Sequence, residues 1–283
     1  MGLFDAFRFD GKKVVVVGGA SGMGAAAAEL ALDAGADVTV LDYAPVTLAG
    51  AKAVQVNLGD KASIDAALAE IAGPIDALLS CAGVADGTPN LEKINYAGHR
   101  HMIDRLIADG HLSRGSSIGF ISSAAGLGWE SNLDLWLELM PIADYDEISA
   151  FLVERGKADY FHTKQVICTY VAWAAHDLAK KGIRINAICP GPTDTPLAQA
   201  NKEMWLGFGS DWREEVGVEA STPLEQAYPL LFLCSDAARS ISGQTIVSDV
   251  GYLNAGVTRA YPPAEDVAKF LLGKFPIEAI TGE

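Results

Sequence analysis

The sequence predicts a single α/β domain built on a doubly wound parallel sheet of seven strands in the order 3-2-1-4-5-6-7. Strand-like apolar runs alternate with helical patterns along the 283 residues, which is typical of βαβ units. The first such run leads through three glycines into an alanine-rich helical stretch. No internal repeat and no Pro/Ser-rich linker divides the chain. Half of the residues are hydrophobic and a fifth are charged, so the chain has enough apolar material for one large core.

The first strand and the turn after it predict a phosphate-binding site. Four consecutive valines, 14–17, are typical of a strand buried on both faces. Glycines then follow as Gly18-x-x-x-Gly22-x-Gly24 and lead into a helix, whose first N–H groups have no partner within that helix. These groups and the helix dipole favour a phosphate-bearing ligand. The spacing differs from G-x-G-x-x-G, so an ordinary glycine-rich turn is the alternative. We expect this ligand to be bound by Gly18, Ser21, Gly22, Met23 and Gly24.

Asp42, at the end of the second predicted strand, indicates which dinucleotide binds. A carboxylate at this place holds the adenosine ribose hydroxyls of a dinucleotide. Its negative charge repels a 2′-phosphate, and no Arg or Lys lies between Gly18 and Pro45. The sequence therefore favours NAD(H) over NADP(H).

The remaining elements follow the same alternation. We predict strands near 12–17, 37–42, 53–57, 75–81, 116–122, 183–189 and 244–250, and helices near 22–34, 61–72, 91–109, 160–181 and 223–235. Seven strands wound right-handedly, with helices on both faces, form a Rossmann-like fold. Ligands of such sheets bind beyond the carboxyl ends of the strands, where functional residues are therefore expected.

Three stretches interrupt this alternation. Segment 127–159 separates a strand from the next helix by more residues than is usual, and segment 193–222 does the same after the sixth strand. The tail from Tyr261 begins with prolines and contains an apolar helical patch, which predicts a docking extension. We therefore divide the chain into a Rossmann domain, 1–260, with an insertion at 127–159 and a lid at 193–222, and a C-terminal extension, 261–283.

Composition argues against several classes of protein. A formal charge of −15 disfavours binding to nucleic acid or to an anionic membrane. The first ten residues contain acids and no apolar run long enough for a signal peptide or a membrane span. The four cysteines lie far apart without a C-x-x-C motif, which predicts buried thiols in a reducing cytoplasm. The five histidines lack ligand spacing with carboxylates or cysteines, and we predict no metal.

A group of polar residues predicts acid/base chemistry. Tyr160 and Lys164 are four apart, and so lie on one face of a helix. An unperturbed tyrosine titrates near pH 10 and is a poor base at neutral pH, but a neighbouring cation favours its phenolate. Ser122 and Ser123 end the fifth strand, where a hydroxyl can hydrogen-bond a carbonyl oxygen. Asn95 follows the fourth strand on the next helix.

These motifs, in this order, resemble the short-chain dehydrogenase/reductase family over roughly residues 10 to 255. The resemblance is carried by the glycine motif, by Ser80-Cys81-Ala82-Gly83 in place of the family's Asn-Asn-Ala-Gly, and by Cys189-Pro190-Gly191. It implies an active-site tetrad of Asn95, Ser123, Tyr160 and Lys164. Ser123 is preferred to Ser122 because Gly126 follows it by three residues, as in the family pattern.

The resemblance also implies a role for each member of the tetrad. Tyr160 is the general acid in reduction and the general base in oxidation, while Lys164 lowers its pKa and binds the nicotinamide ribose. Ser123 orients the substrate oxygen, Asn95 supports a water-mediated proton path to Lys164, and Thr195 is a partner for the nicotinamide carboxamide. Beyond the glycine loop and Asp42, the expected cofactor-binding residues are Asn57, Leu58, Ala82, Gly83, Tyr160, Lys164, Pro190, Gly191, Thr193 and Thr195.

Several of these residues have a structural alternative. Asn95 suits a helix cap, and Ser123 suits a turn. Thr195, which precedes a proline, suits the start of a helix.

The two long segments predict the substrate. The insertion separates Ser123 from Tyr160 and carries large apolar side chains such as Trp136, which predicts a wall of the substrate cleft, with an oligomer contact or a core extension as the alternative. The segment with Trp205 and Phe208 predicts a lid. Such an insertion resembles the bacterial 3α-hydroxysteroid dehydrogenase/carbonyl reductase subgroup. We therefore expect a bulky, mostly apolar alcohol or ketone, first a steroid, with a coniferyl-type aromatic alcohol as the alternative.

Two other functions are weighed against this one. A non-catalytic dinucleotide-sensing protein on the same fold has no need of a complete tetrad, and an NADP-dependent reductase is disfavoured by Asp42. The family resemblance also implies a homodimer or a homotetramer.

Overall fold

The computed structural model describes residues 2–272. Its centre is a parallel sheet of seven strands in the order β3-β2-β1-β4-β5-β6-β7, which confirms the predicted Rossmann-like fold. The strands are β1 (Lys13–Val17), β2 (Asp37–Asp42), β3 (Lys52–Gln55), β4 (Ile75–Ser80), β5 (Leu112–Ile121), β6 (Arg184–Pro190) and β7 (Thr245–Ser248).

Helices cover both faces of the sheet. They are α1 (Gly22–Asp33), α2 (Lys61–Ala69), α3 (Gly98–Ala108), α4 (Leu133–Leu139), α5 (Tyr145–Glu154), α6 (Tyr160–Lys181), α7 (Pro196–Ala200), α8 (Lys202–Trp205), α9 (Ser210–Val216), α10 (Pro223–Cys234), α11 (Tyr252–Val257) and α12 (Glu265–Leu272). Alternate residues of β1 belong to different cores: Val15 packs with α2, α3 and α6, and Val16 packs with α1 and α10. All four valines of β1 are fully buried, as their sequence predicts.

Strand β5 is longer than predicted, since it begins at Leu112 rather than near residue 116. Its first residue, Leu112, is buried, but the next three, Ser113, Arg114 and Gly115, are exposed and interrupt the apolar run. The register with β4 shifts between Ile75 and Ala77, and the Ser116 hydroxyl donates a hydrogen bond to the carbonyl oxygen of Ile75 at 2.6 Å. This irregularity joins a solvent-exposed strand end to the buried half that reaches the candidate site.

The insertion at 127–159 is an extension of the hydrophobic core. Its helices α4 and α5 bury Trp136, Leu139 and Ile148, which belong to the same core cluster as residues of α3 and α6. The Tyr145 hydroxyl at the start of α5 donates a hydrogen bond to the carbonyl oxygen of Leu58 at 2.8 Å. Of the alternatives left open by the sequence, the core extension is the one observed.

The C-terminal extension packs onto the domain as far as the structure describes it. Leu271 of α12 is buried in a cluster with Leu253 of α11 and with Cys168 of α6. The rest of the predicted extension, 273–283, lies outside the described residues. Within residues 2–272, no helix is long and apolar enough to cross a membrane.

Candidate active site

The glycine loop holds the first strand, the first helix and the loop after β4 in close contact. A Cβ at Gly18 would lie 2.4 Å from the backbone of Ala82, and the φ of Gly18 is +85°, so this position requires glycine. A Cβ at Gly24 would lie 2.0 Å from the carbonyl oxygen of Gly18. Ser21 is the N-cap of α1, but its side chain makes no capping hydrogen bond. The first N–H groups of α1 are therefore available to an anionic ligand.

A cavity of about 480 Å³ lies in front of this helix terminus. Its lining includes most of the predicted cofactor residues: Gly18, Ser21, Gly22, Met23, Gly24, Asp42, Asn57, Leu58, Ala82, Gly83 and Thr195. Among the described residues, 2–272, this lining contains no Lys or Arg. The close glycine contacts and the helix terminus without a side-chain cap fit a nicotinamide dinucleotide.

The carboxylate of Asp42 is held at the edge of this cavity by backbone groups. Its two oxygens accept hydrogen bonds from the N–H groups of Ala20 and Ala44, each at 2.8 Å. Asn57 is oriented in a similar way, since its Oδ1 accepts from the N–H of Gly59 at 2.9 Å. Both side chains are thus positioned before any ligand binds.

A second cavity, of about 360 Å³, brings together three members of the predicted tetrad: Ser123, Tyr160 and Lys164. It is also lined by the predicted cofactor residues Pro190, Gly191, Thr193 and Thr195. Met23, Cys81, Gly83, Thr195 and Leu197 line both cavities, which therefore adjoin. The predicted acid/base group and the predicted dinucleotide site lie next to each other.

The electrostatic environment of Tyr160 differs from the sequence-based expectation. The pKa of Tyr160 is raised to about 12. Burial raises this pKa most, a hydrogen bond with the Ser123 hydroxyl lowers it, and the carboxylate of Asp86 contributes to the increase. The ammonium of Lys164 lies 5.5 Å from the centre of the Tyr160 ring. The predicted lowering of the Tyr160 pKa is thus absent from this structure, because burial of the phenol dominates. The phenol is fully protonated at neutral pH and suited to donate a proton.

Lys164 is almost completely buried, and burial lowers the pKa of its ammonium to about 8. The ammonium donates a hydrogen bond to the carbonyl oxygen of Ile121 at 3.1 Å. A Cβ at Gly83 would lie 3.3 Å from Lys164 Nζ, so a larger residue in the loop after β4 would crowd this charge.

Asn95 connects two parts of the site. It is fully buried in a π-helical segment, Lys93–Ala97, and does not cap a helix. Its amide donates to the carbonyl oxygen of Val84 at 3.1 Å and to the Thr163 hydroxyl at 3.3 Å, and its Oδ1 accepts from the N–H of Val84 at 2.8 Å. Asn95 therefore ties the loop after β4 to the helix that carries Tyr160. Its predicted part in a proton path stays a prediction.

Two family models match this chain. The one described as short chain dehydrogenase matches residues 12–128, and the one described as Enoyl-(Acyl carrier protein) reductase matches residues 145–253. The chain belongs to the short-chain dehydrogenase/reductase family. It is therefore an oxidoreductase, and the two matches leave out only the first half of the insertion between them.

The most similar curated proteins include enzymes that act on alcohols. The coniferyl-alcohol dehydrogenase of Pseudomonas sp. strain HR199 is 28% identical over 85% of this chain and 96% of its own. The 3-alpha-hydroxysteroid dehydrogenase/carbonyl reductase of Comamonas testosteroni is 29% identical over 84% and 95%. Among solved structures, the 3-alpha-hydroxysteroid dehydrogenase of Pseudomonas sp. B-0831, complexed with NADH, has a TM-score of 0.70 and 25% identity over 88% of this chain and 99% of that one.

Ser123 and Thr195 of this dehydrogenase/reductase line the second cavity and also have the structural roles, in a turn and at a helix start, that the sequence left open. The Ser123 hydroxyl accepts from the N–H of Ala125 at 3.2 Å, at the start of a short helical turn. Thr195 is the N-cap of α7 and accepts from the N–H of Ala198 at 3.1 Å. These local hydrogen bonds fix the positions of both hydroxyls at the cavity wall.

The lid segment and the C-terminal helix form the apolar wall of the second cavity. The ring of Trp205 lies 4.7 Å from that of Tyr160, centre to centre. Phe161 lines the cavity and stacks against Phe270 of α12, whose neighbour Leu271 also lines it. Within the described chain, no residue of 127–159 lines either cavity, so the predicted substrate wall in the insertion is wrong. Most of the large apolar side chains of the insertion are buried in the hydrophobic core instead.

Sequence reasoning missed several residues that line this enzyme's second cavity, among them Asp86, Phe161 and Leu271. Asp86 lies beyond the carboxyl end of β4, which was a recognisable place for a functional residue. Phe161 adjoins Tyr160, but the helical pattern alone does not say which side it faces. Leu271 belongs to a segment far along the chain, and no local signal connects it with the site.

His99, His162 and the four cysteines do not form a metal site. Burial lowers the pKa of His99 to about 4, and its neutral ring lies with Nε2 at 3.1 Å from the carbonyl oxygen of Ala82. His162 pairs with Asp159 at 2.6 Å. Within residues 2–272, no three His, Cys, Asp or Glu side chains form a group that holds a metal ion. All four cysteines are free, and Cys81 lines both cavities rather than lying in the core.

Proposed function

We propose that this protein is an NAD-dependent oxidoreductase that interconverts a secondary alcohol and a ketone on a bulky, mostly apolar substrate. The proposal is carried by one observation: Ser123, Tyr160 and Lys164 line one apolar cavity, which adjoins the cavity at the glycine loop. In this cavity the three side chains can transfer one proton to or from one oxygen atom of the substrate.

The chain's own residues act on the substrate oxygen. A bound nicotinamide dinucleotide supplies the hydride in reduction and accepts it in oxidation. In reduction, Tyr160 donates its phenolic proton to the oxygen, while the Ser123 hydroxyl donates a hydrogen bond to it. In oxidation, the Tyr160 phenolate takes the proton of the alcohol. The Lys164 ammonium stabilises that phenolate and holds a ribose hydroxyl, a proposal supported by its position 5.5 Å from the centre of the Tyr160 ring.

The preference for NAD rests on Asp42. We expect Asp42→Ala combined with Tyr43→Arg to raise the ratio of kcat/KM with NADP to kcat/KM with NAD by about 100-fold, because a like-charge contact is replaced by an attractive one. Tyr43 is exposed and lines the cavity, so an arginine there reaches the ligand. The ratio is measured from the appearance of the reduced-nicotinamide absorbance band.

Asp37→Ala is the matched control, because Asp37 is an exposed carboxylate at the other end of the same strand. It removes one negative charge from β2 without changing the ratio. Equal use of NAD and NADP by the unmodified enzyme would refute the assignment to NAD.

The substrate class rests on the apolar and aromatic walls of the second cavity, and on relatives whose names are those of hydroxysteroid and coniferyl-alcohol dehydrogenases. The test is turnover of NAD with a 3-hydroxysteroid, a coniferyl-type alcohol and a sugar alcohol. Oxidation of the steroid supports the first candidate, and oxidation of the coniferyl-type alcohol alone supports the second. Turnover restricted to the sugar alcohol would refute an apolar substrate.

A further inference from the structure

Asp86 places a negative charge in the substrate cavity. It lies in the loop after β4, three residues beyond Gly83, and its exposed side chain is at the mouth of the cavity. Among the described residues, the cavity lining contains two charged side chains, Asp86 and Lys164. Lys164 is buried and hydrogen-bonded to a backbone carbonyl, so Asp86 is the charge that an entering substrate meets.

The hydrogen bonds of Asp86 leave half of its carboxylate available. Oδ1 accepts from the N–H of Tyr160 at 2.7 Å. In the part of the chain that the structure describes, Oδ2 has neither a hydrogen bond nor an ion pair. The first turn of α6 has a cap of its own, because Asp159 accepts from the N–H of His162 at 2.8 Å. A role as a helix cap therefore does not account for the whole carboxylate.

This charge works against the chemistry of the site unless something else compensates for it. The carboxylate raises the pKa of the Tyr160 phenol, which disfavours the phenolate needed for oxidation. A cation near Asp86 would offset that effect. The rings of Phe161, Trp205 and Phe208 line the same cavity, and aromatic faces beside a carboxylate are the surroundings that bind an ammonium group.

We propose that Asp86 is a specificity-determining residue, which selects alcohols and ketones that carry a protonated amine. This rests on the proposed function, because the oxygen that reacts is the one at Tyr160 and Ser123. The ammonium of the substrate pairs with Oδ2 at the cavity mouth, and its hydrocarbon part occupies the aromatic cavity. A carboxylate in the same place on a substrate is repelled by Asp86 and by the net charge of −15.

Three ketones that share one reacting group test this selection: 4-acetylbenzylamine, 4-methylacetophenone and 4-acetylbenzoate are cationic, neutral and anionic at pH 7. We expect kcat/KM for their reduction by NADH to fall in that order, by about three- to tenfold at each step, since an exposed charge pair has an effect of this size. Added salt should shrink the differences. Asp86→Asn keeps an acceptor for the N–H of Tyr160 and should bring the three values close together.

Asp177→Asn is the control, because it removes the same charge from a distant, exposed position on α6 and should leave the order unchanged. A cationic ketone that is no better than the neutral one, or a preference that persists in Asp86→Asn, would refute selection by Asp86.

Binding without turnover separates this selection from the proposed function. Calorimetric titration of the cofactor-free protein should give a dissociation constant three- to tenfold lower for 4-acetylbenzylamine than for 4-acetylbenzoate, and Asp86→Asn should abolish the difference. If this holds while neither the three ketones nor the alcohols of the earlier panel are turned over, the proposed reaction is wrong and selection by Asp86 stands. If the neutral ketone is reduced while the amine is preferred in neither assay, selection by Asp86 is wrong and the reaction stands.

Discussion

Tyr160→Phe is expected to lower kcat/KM by a factor of about 100 to 10,000 in both directions of the reaction, because proton transfer by a positioned side chain contributes this much. The substitution removes one oxygen and keeps the ring that packs 4.7 Å from Trp205. Steady-state assays with the best substrate of the panel measure the loss. Binding of NADH, followed by its fluorescence, should be nearly unchanged.

Tyr228→Phe is the matched control, since Tyr228 is an exposed tyrosine on α10 and lines neither cavity. Wild-type turnover in Tyr160→Phe would contradict the mechanism. The dinucleotide-sensing alternative would be favoured only if the unmodified protein bound NADH and turned over no member of the panel.

Because both directions of the reaction use the phenol of Tyr160, they depend on pH in opposite ways. Asp86, Lys164 and Cys189 are the titratable groups that face Tyr160, and the net result is a pKa above the ordinary value for tyrosine. Oxidation requires the phenolate, whose fraction increases with pH. Reduction requires the phenol, which is the dominant form at neutral pH. We therefore expect kcat/KM for alcohol oxidation to rise with pH from 6 to 7.5, because Lys164 keeps its charge below its pKa of about 8 and reduction is unaffected in this range. Oxidation that slows as the pH is raised over this interval would contradict the role of Tyr160.

Lys164→Met is expected to lower kcat/KM by a factor of about 100 or more, because a positioned charge next to the reacting oxygen is lost. It is also expected to change how stability depends on pH. The folded-state pKa of Lys164 is about 8 and its ordinary value is 10.5, so the folded protein binds fewer protons than the unfolded chain between these values. Wild-type stability therefore rises as the pH increases from 8 to 10.5, and the full penalty of the buried ammonium is present below pH 8.

Urea unfolding at pH 7 and at pH 10.5 measures this effect. Relative to Lys164→Met, the wild-type protein should gain about 2–3 kcal/mol over that interval, since each pKa unit corresponds to about 1.4 kcal/mol. Lys181→Met removes the same charge from the exposed C-terminal turn of α6 and should show no such gain. If the free energy of unfolding changed with pH in the same way in wild type and in Lys164→Met, burial would not lower the pKa of Lys164.

The sequence predicts the parts of this protein that local chemistry determines. The four valines of β1 form a strand buried on both faces, and two glycines after it are required because a Cβ at Gly18 or Gly24 would lie within 2.4 Å of backbone atoms. Because parallel strands end at one edge of the sheet, Ser123 and Tyr160 meet although 37 positions separate them. The order of motifs therefore carries both the fold and the main acid/base residues.

Other features depend on contacts that no local pattern encodes. The apolar side chains of α4 and α5 were predicted to form a wall of the substrate cleft, with a core extension among the alternatives. Periodicity does not say what such side chains pack against, and they belong to the core cluster shared with α3 and α6. Burial raises the pKa of Tyr160, and the distant Trp205 is among the residues packed against its ring. The sequence predicted a lowered pKa instead. Asp86 has no motif, and only the cavity connects it with the site.

The burial of α4 and α5 has a consequence for redesign of this enzyme. Because Trp136 and Leu152 are part of the main core, shortening the insertion would expose a broad apolar surface and promote aggregation. Libraries that aim at new substrates belong instead in the 193–222 segment, whose residues Met204 and Trp205 line the second cavity and are not part of the core clusters.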